Sequence, residues 1–203
     1  MDCITYQKKY DRNIILSIDK ENYDKACTTY KNNCNTDKKL RAYEPELLVH
    51  STTLESWDNI LKCGCLKSWN HAKADGDISE QEPIGNQLGD PKEFRDYIML
   101  GGMGAWNELV VLSKQMNKLS YDMNKTYIPG AKLYFDSQKI AEDGILVRDG
   151  VHLKVKDVLS LKPYMIWAAT SNNCHQYVKK WTPLTFSTAA DNTFLKLHGR
   201  YRN

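Results

Sequence analysis

The sequence has no apolar run approaching the roughly 18 residues that a membrane span requires. Its 203 residues open on Met1-Asp2-Cys3-Ile4-Thr5, without the basic stretch and apolar segment of a secretory signal. These absences set the expectations of no membrane partner and a cytoplasmic location. Charge of one sign is also scarce. The balance of 28 basic to 25 acidic residues leaves +3, too near neutrality for the basic patch that marks a nucleic-acid groove. Local runs exist, basic at 36–41 and at Lys179-Lys180 and acidic over 75–96, and they read as a solvated mixed surface. The six cysteines are irregularly spaced and read as reduced thiols rather than a disulfide framework. Cys63-Gly64-Cys65 with His71 nearby has no second Cys/His pair beside it, so no metal is expected.

What is present suffices for a core. Hydrophobic residues make up 41% and charged residues 26%, in a length that fits one domain with an N-terminal elaboration over 1–45. Asn13–Ile18 is a short β-branched run that predicts a strand, 20–31 predicts a helix, and 32–37 a loop. Glu46–Thr52 predicts a second strand. Thr53 then suits a helix N-cap, with Leu54, Trp57, Ile60 and Leu61 on one face and Gly64 as the stop. Residues 70–95 are polar and hold Pro83, Gly85, Gly89 and Pro91, so they read as a long loop that could cover a site. Apolar runs follow at 97–100, 109–112, 133–135, 145–155 and 164–169. The pattern predicts an α+β domain with a mixed sheet.

The most informative stretch is His50-Ser51-Thr52 at a strand end, followed by an amphipathic helix and Gly64-Cys65-Leu66. Read as residues alone, it is first a hydrogen-bonded histidine and an ordinary helix cap, and second a set of donors pointing into a cleft. As a pattern, 47–66 resembles the first strand and helix of the ADP-ribosyltransferase superfamily. Ser51 stands where glycine is usual. A second segment, 131–165, is similar to the last part of the RNA 2′-phosphotransferases of the same fold. It carries a strand ending in Asp136, a short helix ending Asp143-Gly144, the strand Asp149-Gly-Val-His-Leu153 and Pro163-Tyr164. The resemblance implies a split, mixed or antiparallel sheet with short flanking helices over 46–203. It also implies NAD as a substrate held by His50, Ser51 and Thr52.

Trp106-Asn-Glu-Leu-Val-Val-Leu112 resembles the strand that carries the transfer glutamate of the poly(ADP-ribose) polymerases, which makes Glu108 the candidate catalytic carboxylate. A carboxylate there stabilises the oxocarbenium-like ribose left when nicotinamide departs. The superfamily also places an aromatic ring against nicotinamide, and Tyr97 is the candidate. If 145–155 runs as one strand, Arg148 and His152 share a face and could meet a phosphate of the acceptor. The aromatic and basic residues of 176–203 read as packing first and nucleic-acid contacts second.

The resemblance therefore implies an enzyme that transfers ADP-ribose from NAD to a nucleic acid or protein, as toxin and defence members of the fold do. Two alternatives stay open. One is a phosphotransferase-like enzyme that uses NAD as phosphate acceptor; against it, 1–46 shows no Arg-His pair or Gly-His-Ser. The other is a member that binds nucleotide or RNA without turnover.

Overall fold

A computed structural model describes residues 2–33, 38–78, 82–174 and 178–201. The chain is α+β, and every strand pairing is antiparallel. Among the described residues eight strands run in chain order as β1 (Leu47–Thr52), β2 (Cys65–Lys67), β3 (Tyr97–Leu100), β4 (Ala131–Asp136), β5 (Leu146–Asp149), β6 (His152–Lys156), β7 (Val158–Ser160) and β8 (Met165–Thr170). They form a sheet β1-β4-β8, a second sheet β3-β6-β5 and a two-stranded ribbon β2-β7. The helices are α1 (Asp2–Lys9), α2 (Lys20–Asn33), α3 (Leu54–Cys63), α4 (Trp69–Ala74), α5 (Trp106–Met116), α6 (Ser137–Glu142), the short turn α7 (Leu161–Tyr164) and α8 (Pro183–His198).

The alternation of β1 and β4 divides the molecule into two layers of core. Leu48, Leu133 and Phe135 face one way, onto Ile98, Leu100 and Leu66 from the other strands. Leu47, Val49 and Tyr134 face the other way, onto Ala190 and Phe194 of α8. Beside that second layer, Leu109 and Leu112 of α5 pack with Phe186. A sheet buried on both faces is apolar at successive positions, which is why 133–135 shows no polar alternation.

Local signals set the ends of the helices that flank the site. Thr53 caps α3, its hydroxyl accepting from the Ser56 N–H at 3.3 Å. The helix stops at Gly64, whose φ of 70° places it in the left-handed region open to glycine. Asp136 ends β4 and caps α6, accepting from the Lys139 N–H at 3.0 Å. Thr182 and Thr185 form a capping box at the start of α8, with Pro183 in its first turn.

Five expectations need correction. Residues 13–18 form no strand: they run as exposed coil between α1 and α2, with Ile15 96% exposed and, among the described residues, no strand paired with them. Residues 109–112 lie in helix α5, where Glu108, Leu109 and Leu112 fall at helical spacing and are buried together. The 145–155 run is a hairpin, turned at Gly150 (φ 66°) and Val151. The 70–95 stretch is not one loop, since it holds α4 and single turns at Ile84–Leu88 and Lys92–Asp96, while 79–81 lie outside the described residues. Helix α2 continues through Asn33, so the predicted loop at 32–37 is helical at its start, and 34–37 are likewise outside the described residues.

Two cations are buried without having been foreseen. Lys132 of β4 is fully buried, and its Nζ meets the Asp191 carboxylate at 2.7 Å, Ser187 Oγ at 2.6 Å and the Gly104 carbonyl at 3.0 Å. Tyr134 donates its hydroxyl to Asp191 at 2.7 Å. Lys154 of β6 bonds Asp149 at 2.7 Å, with the Phe94 and Tyr97 rings 4.0 and 4.1 Å from its Nζ. Asp149 also receives Lys9 of α1 at 3.0 Å, which ties the N-terminal helix to the second sheet. Burial works to raise the Asp149 pKa, and the bonds from Lys154 and Lys9 outweigh it and hold the carboxyl below its usual range. Removing one partner of a buried pair strands the other charge. Asp191→Ala should therefore cost about 3–5 kcal/mol in urea unfolding; a loss under about 1 kcal/mol would show that the pair contributes little.

Candidate functional site at the divergence of two strands

β1 and β3 meet at one point. Val49 and Gly101 exchange backbone hydrogen bonds of 2.7 and 3.0 Å, and the pairing is a single bridge. In an antiparallel ladder the next hydrogen-bonded pair would be Ser51 with Met99. That pair does not form. The His50 imidazole stands in the gap instead, its Nδ1 3.1 Å from the Met99 carbonyl oxygen. Among the described residues no further backbone hydrogen bond joins β1 to β3, and the unpaired stretch between 50–52 and 98–99 forms a notch in the ladder. Because backbone direction alternates, Ser51 turns its N–H and C=O to the same edge as Val49, into this notch.

The chemistry of His50 follows from its partner. A carbonyl oxygen only accepts, so Nδ1 carries the proton and Nε2 of the neutral ring is an acceptor. Burial is the main cause that lowers its pKa to about 4; the nearby Lys114 adds to the shift and the Met99 bond opposes it. The ring is neutral across the physiological range. Thr52, two residues beyond His50, is buried and lies against Gly130, where a Cβ would sit 1.8 Å from the Thr52 carbonyl oxygen.

Glu108 does not share this notch. Ser51 and His50 point to opposite faces of β1, and Glu108 is on the Ser51 face. Its carboxylate is fully buried, accepting from Ser51 Oγ at 2.5 Å and from the Tyr127 hydroxyl at 2.7 Å. Burial raises its pKa, with the Ser51 and Tyr127 bonds and the charge of Lys132 opposing. Tyr127 and Lys132 were not legible as its neighbours. Both oxygens are taken up by the fold, so the geometry gives Glu108 the work of fixing Ser51 from beneath.

The other sequence candidates separate as well. Tyr97 sits at the far end of β3 with Lys154 against its ring. Arg148 pairs across the hairpin with Leu153, and Asp149 with His152, so the turn at 150–151 puts Arg148 and His152 on opposite faces. Arg148 donates to both oxygens of Glu44 at 2.6 and 2.8 Å and to the Lys39 carbonyl at 2.9 Å. His152 packs between Tyr6 and Phe94, each 5.2 Å away centroid to centroid, and burial lowers its pKa. Arg148 instead lines a cavity of about 750 Å³ between α2 and the β5–β6 hairpin, with Lys25, Tyr30, Arg41, Tyr43 and Glu44. In the C-terminal segment Phe186 and Phe194 are core and Tyr201 packs on Phe194; Gln176 and Arg202 lie outside the described residues.

Among the described residues no group of three or more His, Cys, Asp or Glu is placed to hold a metal, and no helix is long and apolar enough to cross a membrane. Comparison with protein-family models, with curated proteins and with solved structures gave no match.

The buried neutral imidazole has a consequence for pH. Unfolded, His50 takes a proton near pH 6.5; folded, it does so near 4. As pH falls through that window the unfolded chain binds the proton first, so stability contributed by the neutral ring is present above the window and lost within it. Urea melts of the wild type should lose stability relative to a His50→Asn variant between about pH 6.5 and 4. Parallel curves would place the imidazole in water.

Proposed function

We propose that the protein has the ADP-ribosyltransferase-like split sheet, binds NAD in the notch between β1 and β3, and transfers its ADP-ribose to a macromolecular acceptor. The observation that carries this reading is the edge of β1 at Ser51. A carboxamide such as that of nicotinamide needs one acceptor and one donor side by side, and a strand edge offers them as N–H and C=O of one residue. The Ser51 backbone supplies both, so the side chain that replaces the usual glycine is no obstacle: it points to the opposite layer, where Glu108 holds it. His50 Nε2, the acceptor on the neighbouring ring, suits a ribose hydroxyl.

In the reaction the bond between nicotinamide and ribose breaks with its electron pair going to nicotinamide, and an acceptor oxygen bonds the ribose carbon. A hydroxyl acceptor must also lose its proton, which a base would take. Glu108, on the other layer, is not offered for that role. This favours a second, narrower reading in which the acceptor is a phosphate on RNA, whose oxygen is already anionic. The cavity beside Arg148 supports it, since Lys25, Arg41 and Arg148 line it against one carboxylate, Glu44.

Incubation with NAD, with and without RNA bearing a 2′-phosphate, tests both readings by nicotinamide release. ADP-ribose cyclic phosphate as a product selects the phosphotransferase-like chemistry, and ADP-ribosylated RNA or protein selects transfer. NAD binding with no nicotinamide released over hours reduces the protein to a nucleotide-binding member. His50→Ala should weaken NAD binding about tenfold, the worth of one hydrogen bond to a buried group. Ser51→Ala should leave NAD affinity unchanged while costing about 1–3 kcal/mol of stability, because it strands a Glu108 oxygen. Glu108→Gln should retain turnover; its complete loss in a folded variant would return the carboxylate to the chemistry.

A further inference from the structure

Cys63 ends α3, Cys65 begins β2, and Gly64 between them is in the left-handed conformation. That turn brings two side chains that a continued helix would send apart onto one side. The two Sγ atoms lie 3.3 Å apart, with Cys63 exposed and Cys65 partly buried. The backbone on both flanks is fixed. Gly64 N–H bonds the Ile60 carbonyl at 2.8 Å, Leu161 N–H bonds the Gly64 carbonyl at 2.8 Å, and Cys65 pairs with Ser160 across the ribbon. The two thiols are thus held as a pair by the fold and do not meet by chance on a loose loop. A disulfide has its sulfurs about 2.05 Å apart, so closing the pair draws them together by about 1.2 Å at the exposed end of a helix.

We propose that Cys63 and Cys65 form a dithiol site that exchanges reversibly with small disulfides such as oxidised glutathione. The Cys63 thiolate, the more accessible, attacks one sulfur of glutathione disulfide and expels one glutathione thiolate. Cys65 then attacks the Cys63 sulfur of the mixed disulfide and expels the second. Two electrons and two protons pass from the pair to the co-reactant, which becomes two molecules of glutathione. Cys65 is placed for the second step by its Sγ, 3.3 Å from the Cys63 sulfur. Burial and then the neighbouring Cys63 push its thiol up to about 11, and the part due to Cys63 disappears once Cys63 is in the mixed disulfide.

The full-length protein is equilibrated with reduced and oxidised glutathione, quenched with an alkylating agent and digested with trypsin. Cleavage after Lys62 and Lys67 releases both sulfurs in one peptide, 63–67. At an oxidising ratio this peptide should lose two hydrogens and escape alkylation, and reducing agent should restore both sites. A Cys65→Ser variant should instead accumulate glutathione on Cys63. The proposal is overturned if the wild-type peptide stays doubly alkylated at that ratio, or if wild-type Cys63 keeps a stable glutathione adduct. Because peptide mapping of the wild type decides alone, misfolding of the variant leaves the test intact.

Discussion

A single backbone bridge, Val49 with Gly101, is the hinge on which the architecture turns. On one side of it the strands are joined, and on the other an imidazole occupies the place of the next pair of hydrogen bonds. Had Ser51 and Met99 paired, β1 would be hydrogen-bonded along both edges and its backbone groups would be spent. The His50 side chain satisfies one carbonyl in place of that pairing, which leaves the Ser51 backbone unpaired with β3. A strand edge so arranged has a fixed geometry, because the pairing with β4 holds it on its other side.

Polar groups buried in the second layer support that edge. Ser51, Glu108 and Tyr127 form one chain of hydrogen bonds, and Lys132, Asp191, Tyr134 and Ser187 form another beside it. Their partners come from β1, β4, α5, α8 and the 127–130 segment, so the two chains fix how the helices sit on the sheet. Buried ionic groups of this kind stabilise little beyond an apolar equivalent, but they penalise every arrangement that leaves one of them unpaired.

Much of the scaffold could be read from the amino acids. The strand at 47–52, the Thr53 cap, the Gly64 stop and the strand–helix–strand of 131–149 all rest on local chemistry, and local chemistry is what a sequence records. Glu108 shows where that record ends. Trp106-Asn-Glu-Leu-Val-Val-Leu112 holds four consecutive apolar residues, a run that suits a buried strand or a helix touched on two sides, and only the neighbouring layer decides between them. Arg148 and His152 part for a different reason: the two-residue turn at Gly150-Val151 puts them on opposite faces of the hairpin. Lys154 alternates with apolar residues as a solvated lysine would, so nothing local marks it as buried. Lys132, set inside Ala-Lys-Leu-Tyr-Phe, did carry a signal, since a cation within an apolar run must find a carboxylate.

The central claim is that the Ser51 backbone and the His50 ring receive NAD at the open edge of β1. Titrating NAD into isotopically labelled protein, and following backbone amides and histidine ring nitrogens by NMR, addresses it residue by residue. The account predicts that the Ser51 amide and His50 Nε2 move most, with Nδ1 keeping its proton throughout. Changes confined to the residues around Tyr30, Arg41 and Arg148, with Ser51 and His50 still, would contradict it.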